Sequence, residues 1–134
     1  DALTKVGNRR AFDRRLVELF QDADAEATLV LVDLDHFKKL NDTYGHLMGD
    51  KVLQGVAKVM KKACPDNALA ARYGGEEFAF LIQGSATTGA SIAEQTRQLL
   101  SKLLLRKKSD GQVIDNITAS FGVAQRNKGE YQNN

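Results

Sequence analysis

Apolar residues recur at helical spacing in three segments of the chain. The first segment predicts a helix over residues 9–22, behind Asn8, a favourable N-cap. The second helix follows Asp50 and is ended by Pro65, and the third covers residues 88–106. The three apolar stripes are Phe12, Leu16, Leu19 and Phe20; Val52, Leu53, Val56, Val59 and Met60; and Ile92, Leu99, Leu100, Leu103 and Leu104.

Strand patterns alternate with these helices. Ala27–Leu34 is a run of mostly leucine and valine, typical of a strand buried on both faces. Residues 69–73 and 77–82 are shorter strand candidates, and Gly74-Gly75 between them predicts a two-residue hairpin. Apolar residues alternate over residues 117–123, which predicts a strand with one buried face. The alternation of strands with helices predicts an α/β sandwich. The hairpin requires an antiparallel pair of strands, so we expect a mixed sheet.

Composition is that of an ordinary folded domain. The 134 residues fit one domain, and 43% hydrophobic with 27% charged residues is near the soluble average. A net charge of +2 is too small to indicate a nucleic-acid or anionic-membrane partner, so any basic function must be local.

Cysteine usage and the chain ends indicate a cytoplasmic domain. The single cysteine, Cys64, cannot form an internal disulfide, which favours a reducing compartment. The longest apolar run, residues 27–32, is shorter than the ~20 residues of a membrane span, and no charged leader precedes an apolar segment. The start at Asp1 and the polar residues 127–134 suggest a domain excised from a longer protein, whether or not that protein is membrane-anchored.

Acidic residues gather at predicted strand ends and turns. Asp33 and Asp35 can share a face of their strand, while Leu34 points away and still offers its carbonyl. Magnesium is held by one or two carboxylates together with substrate phosphates, so Asp33 with Glu76 fits this ion. Glu77, the next residue, is expected to orient or assist rather than to bind the ion.

The glycine pair beside these acids suits phosphate binding. Gly74 and Gly75 lack the side chains that would keep a triphosphate away from backbone N–H groups. The alternative is a solvated hairpin turn, which such sequences form more often.

Several blocks of the chain resemble one family. Gly74-Gly75-Glu76-Glu77-Phe78 resembles the GGDEF or GGEEF signature turn of diguanylate cyclases. The other matching blocks are residues 33–38, 41–46, 49–50 and 71–73, the N-terminal motif over 1–10 and the late strand over 119–123. The resemblance covers essentially the whole chain. It implies an α/β (α+β) fold with a five-stranded, mostly antiparallel sheet surrounded by helices, similar to the palm of adenylyl cyclases and polymerases.

The resemblance also implies roles for individual residues. Asp33, Glu76 and the Leu34 carbonyl would bind magnesium, or manganese in its place, and Glu76 and Glu77 would be catalytic. The implied phosphate-binding groups are Lys38, Gly74, Gly75 and the backbone amides near His36 and Phe37.

Asn41 and Asp50 match the family's guanine-reading residues. A carboxylate at Asp50 accepts hydrogen bonds from guanine N1–H and the exocyclic amine, which adenine does not present. Without the family, Asp50 could simply begin a helix and Asn41 could form a turn. His36 and His46 have no further ligand nearby, so they are interpreted as structural, and Phe37, Tyr44 and Phe78 as core.

The function implied is that of a bacterial signalling enzyme. It condenses two GTP molecules into cyclic di-GMP and pyrophosphate as a homodimer, below an upstream sensor domain. The alternative is a catalytically inactive GTP-binding regulator that acts through protein contacts.

The chain departs from the family pattern at three places. Lys5 replaces a glycine of the N-terminal motif, which affects turn geometry. Pro65 and Ala68 replace the arginine and aspartate of the family's product-inhibition site. The family's C-terminal helix, with a lysine and an arginine that contact triphosphate, does not follow before Asn134.

Overall fold

The computed structural model describes residues 1–22 and 24–126, so the polar residues 127–134 lie outside the described part. Among the described residues, no helix is long and apolar enough to cross a bilayer. The elements follow in the order α1 Arg9–Gln21, β1 Ala27–Leu34, α2 Phe37–Tyr44, α3 His46–Ala63, β2 Ala68–Arg72, β3 Glu77–Ile82, α4 Ala86–Ser101, β4 Leu105–Arg106, β5 Val113–Ile114 and β6 Ala119–Arg126.

The main sheet has four described strands in the order β2-β3-β1-β6, and β4 and β5 form a separate pair. The expectation of five strands is therefore wrong for the described residues. Every pair of neighbouring strands is antiparallel, so the mixed sheet is also wrong. The strands joined by helices do run parallel, but a third strand lies between them in each case, as in a split βαβ arrangement.

Each face of the sheet is covered by different helices. On one face, Val30 and Val32 of β1 and Phe78 and Phe80 of β3 pack in a cluster with residues of α3 and α4. On the other face, α1 packs against β2 and β3 through a smaller cluster that includes Phe12, Leu19, Ala71, Ala79 and Leu81. Alternating side chains along β1 and β3 thus serve two cores, and burying each large apolar side chain contributes about 1.5–3 kcal/mol.

Helix α4 is shorter than predicted. It begins at Ala86 behind the N-cap Ser85, whose hydroxyl accepts from Thr88 N–H at 3.3 Å, and it ends at Ser101 rather than near residue 106. The last turn is closed by hydrogen bonds of the 3₁₀ type, between residues three apart. Lys102 N–H, for example, donates to the Leu99 carbonyl at 3.2 Å. Leu104 is consequently 56% exposed instead of lying on the buried stripe.

The segment after β1 contains a helix that apolar spacing did not predict. Helix α2 contributes Phe37 and Tyr44, both half-buried, to the edge of the core, while Phe78 is fully buried as expected. Gly45, at φ 91°, lies between the two helices as the C-cap of α2 and the N-cap of α3. Helix α3 therefore begins at His46, four residues before Asp50.

The N-terminal motif lies along the free edge of β2. Gly7 N–H donates to the Ala70 carbonyl at 3.0 Å, and Arg72 N–H donates to the Gly7 carbonyl at 2.8 Å. Lys5 has φ 65°, a left-handed conformation that favours glycine. The departure from the family pattern therefore falls on a residue where the backbone would prefer the family's glycine.

Candidate active site

The end of β1 meets the β2–β3 turn at one edge of the sheet. Asp33 lies opposite Glu77 in the β1–β3 register, so their side chains share a face. One residue further, Leu34 N–H donates to the Glu76 carbonyl at 3.2 Å. The structure thus brings together all four residues that the sequence assigned to metal binding and catalysis.

The two aspartates after the buried run have different surroundings. The Asp35 carboxylate accepts from the Thr118 hydroxyl at 2.8 Å and from the Ser120 hydroxyl at 2.7 Å, which fastens β1 to the β6 side. The Asp33 carboxylate is exposed and forms no hydrogen bond or ion pair within residues 1–22 and 24–126. Asp33, rather than Asp35, is therefore available to a cation.

Leu34 and Glu76 offer further oxygen atoms beside Asp33 that a cation could bind. The Leu34 side chain is only 5% exposed and anchors the strand end in the core. Within the described chain, Glu76 N–H does not donate back to the Leu34 carbonyl, and the Glu76 carboxylate has no partner. Two carboxylates and one carbonyl fit magnesium, because this ion takes its other ligands from phosphates and water.

The described residues contain no ready-made metal cage. No group of three or more His, Cys, Asp or Glu side chains lies close enough there to hold an ion. An ion at Asp33 and Glu76 would therefore need the Leu34 carbonyl and ligands from outside the protein.

The glycine turn spans residues 73–76, so it is longer than the predicted two-residue hairpin. Tyr73 N–H and Gly74 N–H both donate to the Glu77 carbonyl, at 2.8 and 3.1 Å. A Cβ on Gly74 would lie 2.5 Å from Glu77 Oε1, whereas one on Gly75 would meet no atom within 4 Å. Gly74 makes room for Glu77 and its N–H is engaged, so of the two only Gly75 faces open space.

Arg72 holds this turn, a role that the sequence did not predict. Its Nε donates to the carbonyls of Gly74 at 3.2 Å and Gly75 at 3.1 Å, and its Nη2 donates to the Gly75 carbonyl at 2.8 Å. Its Nη1 also lies 3.5 Å from the Asp1 carboxylate. The only signal was a basic residue just before a glycine turn whose carbonyls lack strand partners.

The first turn of α2 is unusual for a helix start. His36, the N-cap, is left-handed at φ 57° and makes no side-chain capping bond. The first turn contains no acidic residue, while Lys38 and Lys39 place positive charge near the positive end of the helix dipole. Uncapped N–H groups and nearby cations favour an anion, and this helix start directly follows the end of β1.

The two predicted guanine readers lie on adjacent helices. Asn41 is inside α2 and Asp50 is the fifth residue of α3, so Asn41 is not a turn former and Asp50 is not an N-cap. Asp50 is exposed and lines a cavity of about 670 Å³ with Leu3, Gln54 and other residues. Asn41 does not line that cavity, so the structure does not place both residues around one pocket.

The remaining predicted positions lie at the surface or in a tight turn. His36 and His46 are exposed at the starts of α2 and α3. Ala68 N–H donates to the Pro65 carbonyl at 3.1 Å, and neither residue carries a polar side chain. Burial raises the pKa of the nearby Cys64 thiol, which also contacts these carbonyls.

Comparison with known proteins gives a consistent family. A family model described as "Diguanylate cyclase, GGDEF domain" matches residues 1–134. Diguanylate cyclase VdcA of Vibrio cholerae is 41% identical over 131 residues, which cover 97% of this chain and 38% of that protein. Diguanylate cyclase A of Treponema denticola is 41% identical over 101 residues, which cover 75% of this chain and 26% of that protein.

A solved structure agrees in fold. The GGDEF domain of DgcB from Caulobacter crescentus, in complex with c-di-GMP, has a TM-score of 0.90 and 39% identity. The match covers 97% of this chain and 78% of that one. The chain spans less than half the length of the two curated relatives above.

Proposed function

The chain belongs to the GGDEF domain family of diguanylate cyclases, and we propose that it condenses two GTP molecules into cyclic di-GMP and pyrophosphate. The observation that carries this proposal is the set of oxygen groups on Asp33, Leu34 and Glu76 that have no partner in the described part of the chain, beside the glycine turn. Because protein donors do not occupy these oxygens, all three are free to bind a cation that takes its other ligands from phosphates and water.

In the proposed reaction, the 3′-hydroxyl of each GTP loses its proton and attacks the α-phosphorus of the other, and each attack breaks the bond to one pyrophosphate, so two pyrophosphates leave. When bound, magnesium supplies charge stabilisation to the phosphate oxygens. Asp33, Glu76 and the Leu34 carbonyl would hold it, with manganese as the alternative ion. Glu77 assists from its place opposite Asp33.

Binding of the triphosphate is assigned to the start of α2 and to the glycine turn. Lys38 and the uncapped N–H groups beside His36 and Phe37 would bind the phosphates, and the open space at Gly75 would admit them. The Arg72 bonds to the turn carbonyls keep that space in a fixed position relative to β1. Such positioning matters because phosphoryl transfer depends mainly on alignment and charge stabilisation.

Base choice and assembly complete the proposal. Asp50 accepts from guanine N1–H and the exocyclic amine, and Asn41 donates to the guanine carbonyl, so GTP is favoured over ATP. One chain offers one GTP site, so catalysis requires a two-fold homodimer in which two sites face each other. The longer protein would place this cytoplasmic domain under an upstream sensor.

The test is product formation from GTP with magnesium by the purified protein, followed by chromatography and mass spectrometry. Replacing Glu76 with Gln is expected to lower turnover by at least ~100-fold, because a neutral amide is a poor ligand for a hard ion. Glu18→Gln, on the exposed side of α1, is the matched control. GTP binding without any cyclic di-GMP would instead support the inactive regulator.

A further inference from the structure

We infer that Gly49 is a specificity-determining positioning residue, because its missing side chain provides the space in which the Asn41 amide is held. A Cβ built on Gly49 would overlap Asn41 Oδ1 and would lie 2.9 Å from Asn41 Cγ. This inference rests on the proposed role of Asn41 in reading the base.

The junction of α2 and α3 leaves Asn41 little freedom to move. The Asn41 carbonyl accepts from Gly45 N–H at 2.7 Å, and the Gly45 carbonyl accepts from Gly49 N–H at 3.1 Å. Asn41, Gly45 and Gly49 therefore follow one another at four-residue intervals through the sharp bend between the helices. Because its backbone is held in this way, Asn41 can relieve a clash with a new side chain at position 49 only by changing its side-chain rotamer.

The Asn41 amide also lacks a partner among residues 1–22 and 24–126. Its Oδ1 is buried, and the side chain makes no hydrogen bond with any described residue. A buried polar group without a partner is rare in native proteins and is usually explained by function or by a missing ligand. Steric confinement by Gly49, rather than a hydrogen bond, therefore fixes the amide.

The position of Gly49 links both base-reading residues. Asp50 is the next residue on α3, so the same helical turn carries the Asp50 carboxylate and confines the Asn41 amide. A side chain at position 49 would change the angle between the two groups without removing either. Base recognition is expected to respond, because it depends on several bonds being made together.

The experiment compares Gly49→Ala with Gly55→Ala, a matched control on the same helix. Both glycines are buried, and alanine has the same intrinsic helical advantage over glycine at each. At Gly55 the new Cβ would meet Leu103 Cδ2 at 3.1 Å, the end of a flexible side chain. We expect Gly49→Ala to weaken magnesium-dependent GTP binding by about tenfold or more and to reduce the GTP-to-ATP affinity ratio, and Gly55→Ala to change both by less than about threefold.

A second measurement does not depend on nucleotide. Thermal unfolding of Gly49→Ala, Asn41→Ala and the double variant forms a double-mutant cycle. Because the clash is with the Asn41 side chain, Gly49→Ala should lower the melting temperature in the wild-type background and not in the Asn41→Ala background. Additive effects, or GTP binding by Gly49→Ala equal to that of Gly55→Ala, would overturn the inference. A coupled cycle in a protein that does not bind GTP would reject the proposed function and the base-reading role, while leaving the steric contact established.

Discussion

The two ends of strand β1 differ in how their polar groups are satisfied. At the beginning, the buried Thr28 hydroxyl donates to the Gly84 carbonyl at 2.8 Å, and nearby Ala86 N–H donates to Gln125 Oε1 at 3.1 Å. At the other end, the carboxylates of Asp33 and Glu76 have no partner among the described residues. Both ends belong to the same sheet, so the difference reflects side-chain chemistry and not strand geometry.

The helices that start near these two ends repeat the contrast. The N-terminus of helix α4 is capped by the Ser85 side chain, and serine is a preferred residue at this position of a helix. Helix α2 starts at left-handed His36 without a cap, and Lys38 adds charge of the unfavourable sign. A polar group paired inside the protein stabilises the fold, whereas exposed charges without a protein partner are free to bind a ligand.

The strongest test of this contrast is Asp33→Asn. The change removes a charge from a group with no partner among the described residues, so turnover should fall by at least ~100-fold while the melting temperature stays within about 1 °C of wild type. Product assays with a magnesium titration and thermal unfolding measure the two effects. An unchanged magnesium dependence would show that this end of β1 does not bind the ion.

Replacing Asp50 with Ser tests whether this exposed carboxylate on α3 also binds the nucleotide. The hydroxyl can donate or accept, so discrimination between GTP and ATP should relax by ~1–3 kcal/mol, roughly ten- to a hundredfold. GTP binding should weaken as well. The measurement is the affinity of both proteins for GTP and for ATP with magnesium present. An unaltered GTP-to-ATP affinity ratio would show that Asp50 does not take part in base recognition.

At the beginning of β1, a substitution should lower stability and leave nucleotide binding unchanged, which is the reverse of the pattern expected for Asp33→Asn. Thr28→Val keeps the shape but leaves the Gly84 carbonyl without its donor, so the free energy of unfolding should fall by about 1–2 kcal/mol. GTP affinity should not change. Denaturant unfolding and nucleotide binding provide the two readouts, with Thr28→Ser as the control that retains the hydroxyl. A large loss of GTP affinity in Thr28→Val would contradict the separation of the two ends.

The smallest expected effect lies in the N-terminal motif. Lys5→Gly should raise the free energy of unfolding by about 1 kcal/mol, because glycine adopts the left-handed conformation without the penalty of a Cβ. Ala2→Gly, at an exposed position without positive φ, should instead lower stability slightly. A lower melting temperature for Lys5→Gly would mean that the lysine side chain contributes more than its backbone conformation costs.

Strongly patterned elements could be predicted from the sequence. Both ends of β1 were predicted correctly because its apolar run is bordered by charged residues. Both ends of β3, which follows the glycine turn, were also predicted correctly. Helix α2 was not predicted by apolar spacing, because its eight residues carry only a short apolar stripe. The end of α4 was wrong because Leu103 and Leu104 continue the helical spacing after the backbone has left the helix.

Site residues divide in the same way. The family resemblance could assign a metal-binding role to the carboxylates, because their identity and order are visible in the sequence, and that role stays a prediction. The Arg72 bonds to the turn carbonyls and the Asn41 contact with Gly49 were not predicted, because they depend on backbone atoms and on the bend at Gly45. The fifth strand was expected from the resemblance alone, and the described residues form four strands in the main sheet.

The central place of β1 also bears on the order in which the molecule folds. Its neighbours come from late in the chain, and the bond between Asp35 and Ser120 joins residues 85 positions apart. Bringing such distant segments together costs loop-closure entropy before any contact repays it, which slows folding. Since Asp33 lies on β1 and Glu77 on β3, the cluster of acidic groups acquires its geometry only when these two distant segments of the chain pair.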